Sequence, residues 1–189
     1  MPRTRRSPAQ AKAEILQVAA DRLGKHGLRG LNIKDIAEEA GMNHGTLLHH
    51  FGSAEEMRSE LLEIMTADLI SRMIQIMDSG AQPGELIQAL FELLSTSGQI
   101  KLIAWRAMEE SDDRSMGSGK LLEEVVDKVA AGMLNRDIEL ARKLIFLTVS
   151  SAIGWGICGA NFKEALGMDV AEQDDFPAWV SSQLPRLIS

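Results

Sequence analysis

The feature that most constrains this chain is a gap of two residues. An apolar-periodic segment opens at Asn32, carries Ile33, Ile36, Ala37 and Ala40 on one face, and stops at Gly41. Only Met42 and Asn43 then precede the next helical stretch, His44 to Phe51. A glycine in that turn permits positive φ, which a side chain resists. The two helices pack through Ile36, Ala37, Leu47 and Phe51, leaving Asn43, His44, Thr46, Leu48, His49 and His50 to point outward. A pair built this way can insert its second helix into the major groove of DNA.

The flanking signals are helical too. Ser7 is an N-cap, followed by Pro8 at the first helical position and Gln10 at capping-box spacing. Ile15, Leu16, Ala19, Ala20 and Leu23 then form a stripe that Gly27 ends. Gly52 breaks the third helix, Ser53 and Glu56 form a second capping box, and a long helix carries Met57, Leu61, Met65, Leu69, Met73 and Ile76 at three- and four-residue steps. Further helices are predicted near 84–97, 100–110, 119–134, 137–165 and 173–188. No strand-like alternation stands out. The expected fold is all-α, with a three-helix helix-turn-helix domain over 1–53 and a helical domain over 54–189.

The net charge of −7 conceals an asymmetry. Met1 to Ser53 carry eight Lys/Arg against five Asp/Glu, and the rest carries twelve against twenty-two. A basic head on an acidic body suits a phosphate-binding module on a dimerising partner. The basic N-terminus lacks the apolar stretch of a secretory signal, and no continuous apolar run is long enough for a bilayer, so a soluble protein without membrane contact is expected. The single cysteine, Cys158, fits a reducing cytoplasm.

The stretch from Ile36 to Met57 resembles the TetR family of bacterial regulators. It carries Ile36-Ala37, Ala40-Gly41-Met42-Asn43, Gly45-Thr46-Leu47-Leu48-His49-His50-Phe51 and Ser53-Ala54-Glu55-Glu56-Met57 against the family's signature. The resemblance covers roughly residues 9–57, and beyond it only the number and order of helices match. It implies that Lys34, Thr46 and His50 bond to phosphates, while His44, Leu48 and His49 approach base edges. Chemistry agrees: a threonine in a first helical turn sits beside amides that attract an anion. An imidazole can donate to guanine, and leucine can meet a thymine methyl. Leu48 stands where the family usually has tyrosine and Ala54 where it usually has lysine, which removes two polar contacts. Arg3, Arg5 and Arg6 are candidates to compensate as an arm on phosphate or the minor groove.

In the body, Met65, Met73, Phe91, Trp105, Met108, Met133, Phe146 and Trp155 fall on faces expected to turn inward. Of these, Met65, Met73, Phe91, Trp105, Met108 and Trp155 are the candidate walls of a site for a small hydrophobic ligand. A dimer surface is expected on the last two helices, through Leu144, Thr148 and Ala152 on one and Phe176, Trp179 and Leu184 on the other. By resemblance, two such pairs form a four-helix bundle between subunits. Neither metal nor cofactor is expected, because His49 and His50 diverge by about 100° on a helix. Gly154-Trp-Gly-Ile-Cys-Gly159 spells a dinucleotide fingerprint but follows no strand, and Gly117-Ser-Gly-Lys120 is an incomplete phosphate loop. Ser151, Gly154 and Cys158 are expected to let another helix approach. No histidine lies beyond His50, which argues against an enzyme. The expected protein is a homodimeric regulator on double-stranded operator DNA. The competing reading is control by a protein partner, which predicts an exposed apolar patch and no enclosed cavity.

Overall fold

The computed structural model describes residues 7–109, 119–133, 136–168 and 176–187. Among them every regular element is helical: α1 (Pro8–His26), α2 (Ile33–Glu39), α3 (His44–Phe51), α4 (Ala54–Asp78), α5 (Pro83–Thr96), α6 (Gln99–Met108), α7 (Gly119–Met133), α8 (Ile138–Leu166) and α9 (Phe176–Leu187). The all-α expectation holds, and the helix ends fall within a few residues of those read from periodicity. A 3-10 turn, Gly27–Gly30, joins α1 to α2 and has no counterpart in that reading. The chain divides into two compact units. Residues Met1–Met65 with Ser97–Asp112 form the head, and Thr66–Thr96 with Asp113–Ser189 form the body.

The head closes around Ile15, Leu23, Leu31, Ile36, Leu47, Met57, Leu61 and Leu102, none more than 1% exposed. Burying a side chain of this kind contributes about 1.5–3 kcal/mol. Ser7 and Gln10 cap α1 reciprocally, with bonds of 3.0 and 3.2 Å. Arg22 ties α1 to the segment that follows it. Its Nε donates to the Gly30 carbonyl at 2.9 Å, and its two terminal nitrogens reach Asp35 at 2.9 Å and Glu39 at 2.8 Å. Charge-assisted bonds to half-exposed carboxylates are weakened by solvent, so the tie matters more for aiming α2 than for stability. Lys12 of α1 reaches Glu60 of α4 at 2.6 Å and covers the Phe51 ring at 5.0 Å. α6 belongs to this unit because Leu102 is fully buried in its core. Its cap, Gly98, lies so close to α1 that a Cβ there would stand 2.9 Å from the Leu23 carbonyl oxygen.

In the body, α7 and α8 pack through Val129, Ala130, Ala141 and Leu144. Lys128 of α7 donates to Asp78 at the end of α4, a bond that raises the ammonium above its ordinary 10.5. α5 packs on α8 and α9. Phe176 stacks on Trp155 at 4.5 Å and meets Phe91 edge-on at 6.0 Å, while the Lys163 ammonium lies 4.9 Å over Trp155.

α8 corrects two expectations. Its run from Leu144 to Phe162 contains no charged residue, so by length and mean hydropathy (1.5) it is apolar enough to cross a membrane. The sequence reading missed this because serine, threonine and glycine interrupt the apolar residues. Phe146, expected inside, is 76% exposed, since α8 is apolar on both sides and periodicity cannot say which side is covered. Among the described residues nothing lies within 4 Å of a Cβ added at Gly154, which leaves that position open, whereas at Gly159 an added Cβ would stand 3.0 Å from the Trp155 ring of the same helix.

Candidate nucleic-acid interface

The turn between α2 and α3 is set by backbone hydrogen bonds. Gly41, at φ +68°, donates to the Glu38 carbonyl at 3.0 Å, and Met42 donates to the Ala37 carbonyl at 2.9 Å. Those two bonds are the Schellman pattern, which satisfies carbonyls otherwise orphaned at a helix end. The next residue already starts the following helix. Asn43 caps α3, its Oδ1 accepting from the Thr46 amide at 2.8 Å and from the Thr46 hydroxyl at 3.1 Å. α2 is capped similarly by Asn32, whose Oδ1 accepts from the Lys34 amide at 2.9 Å.

Leu47 and Phe51 turn α3 inward, fully and almost fully buried. A rotation of 100° per residue then fixes the opposite face. His49 stands at its centre, with Gly45 and Thr46 one turn earlier, and all three are exposed. His44 and Asn43 are exposed at the N-terminal end, Lys34 is exposed on α2, and Leu48 and His50 flank the face half-buried. The His49 and His50 ring centroids lie 6.1 Å apart, tilted by 58°. Of the recognition set, Lys34, Asn43, His44, Thr46 and His49 are therefore exposed, and Leu48 and His50 are half-buried.

Two roles differ from the plain outward reading. Asn43 is a cap, so its oxygen is spent on the helix and only its amide nitrogen is left to donate outward. The Thr46 hydroxyl donates to Asn43, and must rotate away to donate to a phosphate. The Asn-x-x-Thr spacing was a sufficient signal for the cap. Nothing in the sequence flagged Arg22, whose partners lie 13 and 17 residues away. Replacing Asn43 by alanine is expected to cost about 1 kcal/mol, the usual worth of an N-cap. Urea unfolding of the head followed by circular dichroism would show it as a lower midpoint at unchanged slope.

The remaining candidates do not gather in one place. Met65 and Trp105 pack against the head core, where the Arg58 guanidinium lies 5.5 Å over the Trp105 ring. Met108, expected inside, is 75% exposed, because it lies on the last turn of α6, beyond the part that Leu102 seats in the core. Met73, Phe91 and Trp155 belong to the body. On α8, Leu144, Thr148 and Ala152 are buried within the chain itself, so they are spent on its own core. Phe176 is half-buried in the aromatic stack and Trp179 is 58% exposed. Arg3, Arg5, Arg6, the Gly117-Ser118 part of the loop before α7, and the side chains of Met133 and Leu184 lie outside the described residues. Among the described residues no cluster of three or more His, Cys, Asp or Glu is placed to hold a metal ion.

Residues 15–61 match the family described as bacterial regulatory proteins, tetR family. The HTH-type transcriptional repressor KstR2 of Mycobacterium tuberculosis (strain ATCC 25618 / H37Rv) is 44% identical over 80 residues, covering 42% of this chain and 40% of that protein. The HTH-type transcriptional repressor KstR2 of Mycolicibacterium smegmatis is 39% identical over 90 residues, covering 48% and 44%. The chain thus spans about two fifths of the length of these curated relatives. Among solved structures, the multidrug binding protein EbrR complexed with imidazole superposes with a TM-score of 0.66 at 20% identity, covering 94% of each chain. A TetR family member from Streptomyces coelicolor A3 (SCO1917) gives 0.60 at 22% identity, covering 95% and 99%. At these identities the likeness is one of fold, and it extends over the body as well as the head.

Proposed function

We propose, from the premise that this chain belongs to the tetR family of bacterial regulatory proteins, that it is a dimeric, sequence-specific DNA-binding repressor released from its operator by a small apolar ligand. The observation that carries the reading is the face of α3: a rigidly seated two-turn helix whose outward side offers Thr46, His49 and free N-terminal amides. Amides and dipole at that end draw a phosphate, and His44, His49 and Leu48 are placed beside it for the base edges. Lys34 and His50 supply further phosphate contacts from the rim. Such a protein works in the cytoplasm, where the DNA is.

Dimerisation is supported by the uncovered side of α8. Phe146, Ser150, Ile153 and Ile157 recur on four- and three-residue steps along it, with the small residues Gly154 and Ala160 beside them, and Trp179 of α9 is exposed as well. Small residues between large ones suit close approach of a second helix. A two-fold dimer sets its recognition helices about one DNA turn, roughly 34 Å, apart, so the operator is a near-palindrome. Ligand control draws on the fold: EbrR, which shares it, is a multidrug binding protein also solved with proflavin. A ligand acts only through different affinity for the DNA-bound and free conformations. Control by a protein partner would use the same exposed α8 face; dimerisation of the pure chain through that face counts against it.

The test is binding to the DNA flanking its own gene, at several salt concentrations, by the natural protein and by a Thr46→Ala/His50→Ala variant. Saturable, salt-sensitive binding that falls at least tenfold in the variant is expected. A folded dimer whose specific binding survives both substitutions unchanged would remove α3 from the interface.

A further inference from the structure

On the head, between the end of α1, the 3-10 turn and the start of α6, lies an open groove of about 640 Å³. Its walls carry Arg22, His26, Arg29, Asp35 and Lys101 around Gly27. Arg22 is already committed to Asp35 and Glu39. His26, Arg29 and Lys101 are exposed, and among the described residues none of their side chains has an ion-pair or hydrogen-bond partner. Arg22, Arg29 and Lys101 against Asp35 alone leave the lining at +2 with His26 neutral, in a chain whose net charge is −7. The lysine is drawn over the turn: its Nζ lies 3.3 Å from where a Cβ on Gly27 would stand, so the bare glycine leaves room for it.

We propose that this groove is a binding site for a small molecule bearing a phosphate or diphosphate group, distinct from the DNA-reading face of α3. Two cationic side chains and an imidazole lining one groove match a multiply charged oxyanion, which a single surface lysine does not. The volume falls in the range of small-molecule sites. Arg29 and His26 come from the segment leading into α2, whereas Lys101 comes from α6, so a bound diphosphate cross-links α6 to the turn that feeds the recognition pair. The site is therefore placed to alter the seating of α2 and α3 without touching DNA.

The probe is inorganic pyrophosphate, titrated calorimetrically into the full-length protein against sodium chloride of matched ionic strength. One saturable site per chain is expected, weakened at least tenfold in Arg29→Ala/Lys101→Ala. Both residues are exposed and unpaired, so the variant keeps its fold, verified by an unchanged melting curve. Lys143→Ala, on the exposed side of α8, is the control and binds like the natural protein. Absence of saturable binding, or equal binding by the double variant, overturns the proposal. So does a variant that binds pyrophosphate unchanged but shows a salt slope for duplex DNA reduced by about two, which would make Arg29 and Lys101 DNA-phosphate contacts. The calorimetry needs no operator, so it succeeds or fails independently of the repressor reading.

Discussion

Leu47→Ala is expected to destabilise the head by about 2–5 kcal/mol and to abolish the proposed specific DNA binding, although no atom of the exposed α3 face changes. Leu47 is fully buried on the inner side of α3, in the cluster formed with Ile15, Leu23, Ile36, Phe51, Met57 and Leu61. Truncation loses the transfer free energy of the removed carbons and leaves a cavity that rigid neighbours fill only in part. A domain of this size is stable by about 5–15 kcal/mol, so the loss is a large fraction of the whole. α3 also has only two turns and few intrahelical bonds of its own, so its position depends on this seat. Urea denaturation should show a lower midpoint with an unchanged slope, and a loss below about 1 kcal/mol would mean that α3 is held by something other than its core contacts. Thr46→Ala is the complementary variant: an exposed substitution that keeps the Asn43 backbone cap, with little effect on stability and a direct effect on DNA affinity.

Phe146→Glu is expected to convert the proposed dimer to monomers while leaving each chain folded. Phe146 is 76% exposed in the single chain, so its replacement removes little intramolecular packing. At a two-fold interface the same change places two carboxylates in apolar surroundings, at a cost of several kcal/mol when unpaired. Each 1.4 kcal/mol is about tenfold in the dissociation constant, so the dimer should weaken by more than a hundredfold. Losing one head per complex also removes the gain from linked half-sites, roughly 10²–10⁴ in affinity. Sedimentation equilibrium reads the assembly and operator titration reads the consequence. A dimer of unchanged strength would show that the uncovered side of α8 is not the interface.

Sequence and structure divide the account along a physical line. The helix ends, the Ser7 cap, the Gly41 turn and the inward positions of α1 to α3 were legible because each rests on neighbours within four residues. So was the outward set of α3, which a rotation of 100° per residue carries from Leu47 and Phe51 to His49. Three features were decided only by tertiary packing. Arg22 draws α1 to α2 across distant residues. α6 sits with the head because Leu102 is buried there. α8 turns Leu144, Thr148 and Ala152 inward and Phe146 outward, the reverse of the expected use of that helix. A helix apolar on both sides carries no periodic signal of which side its own chain covers; that depends on where α5, α7 and α9 come to lie, and only the folded chain places them.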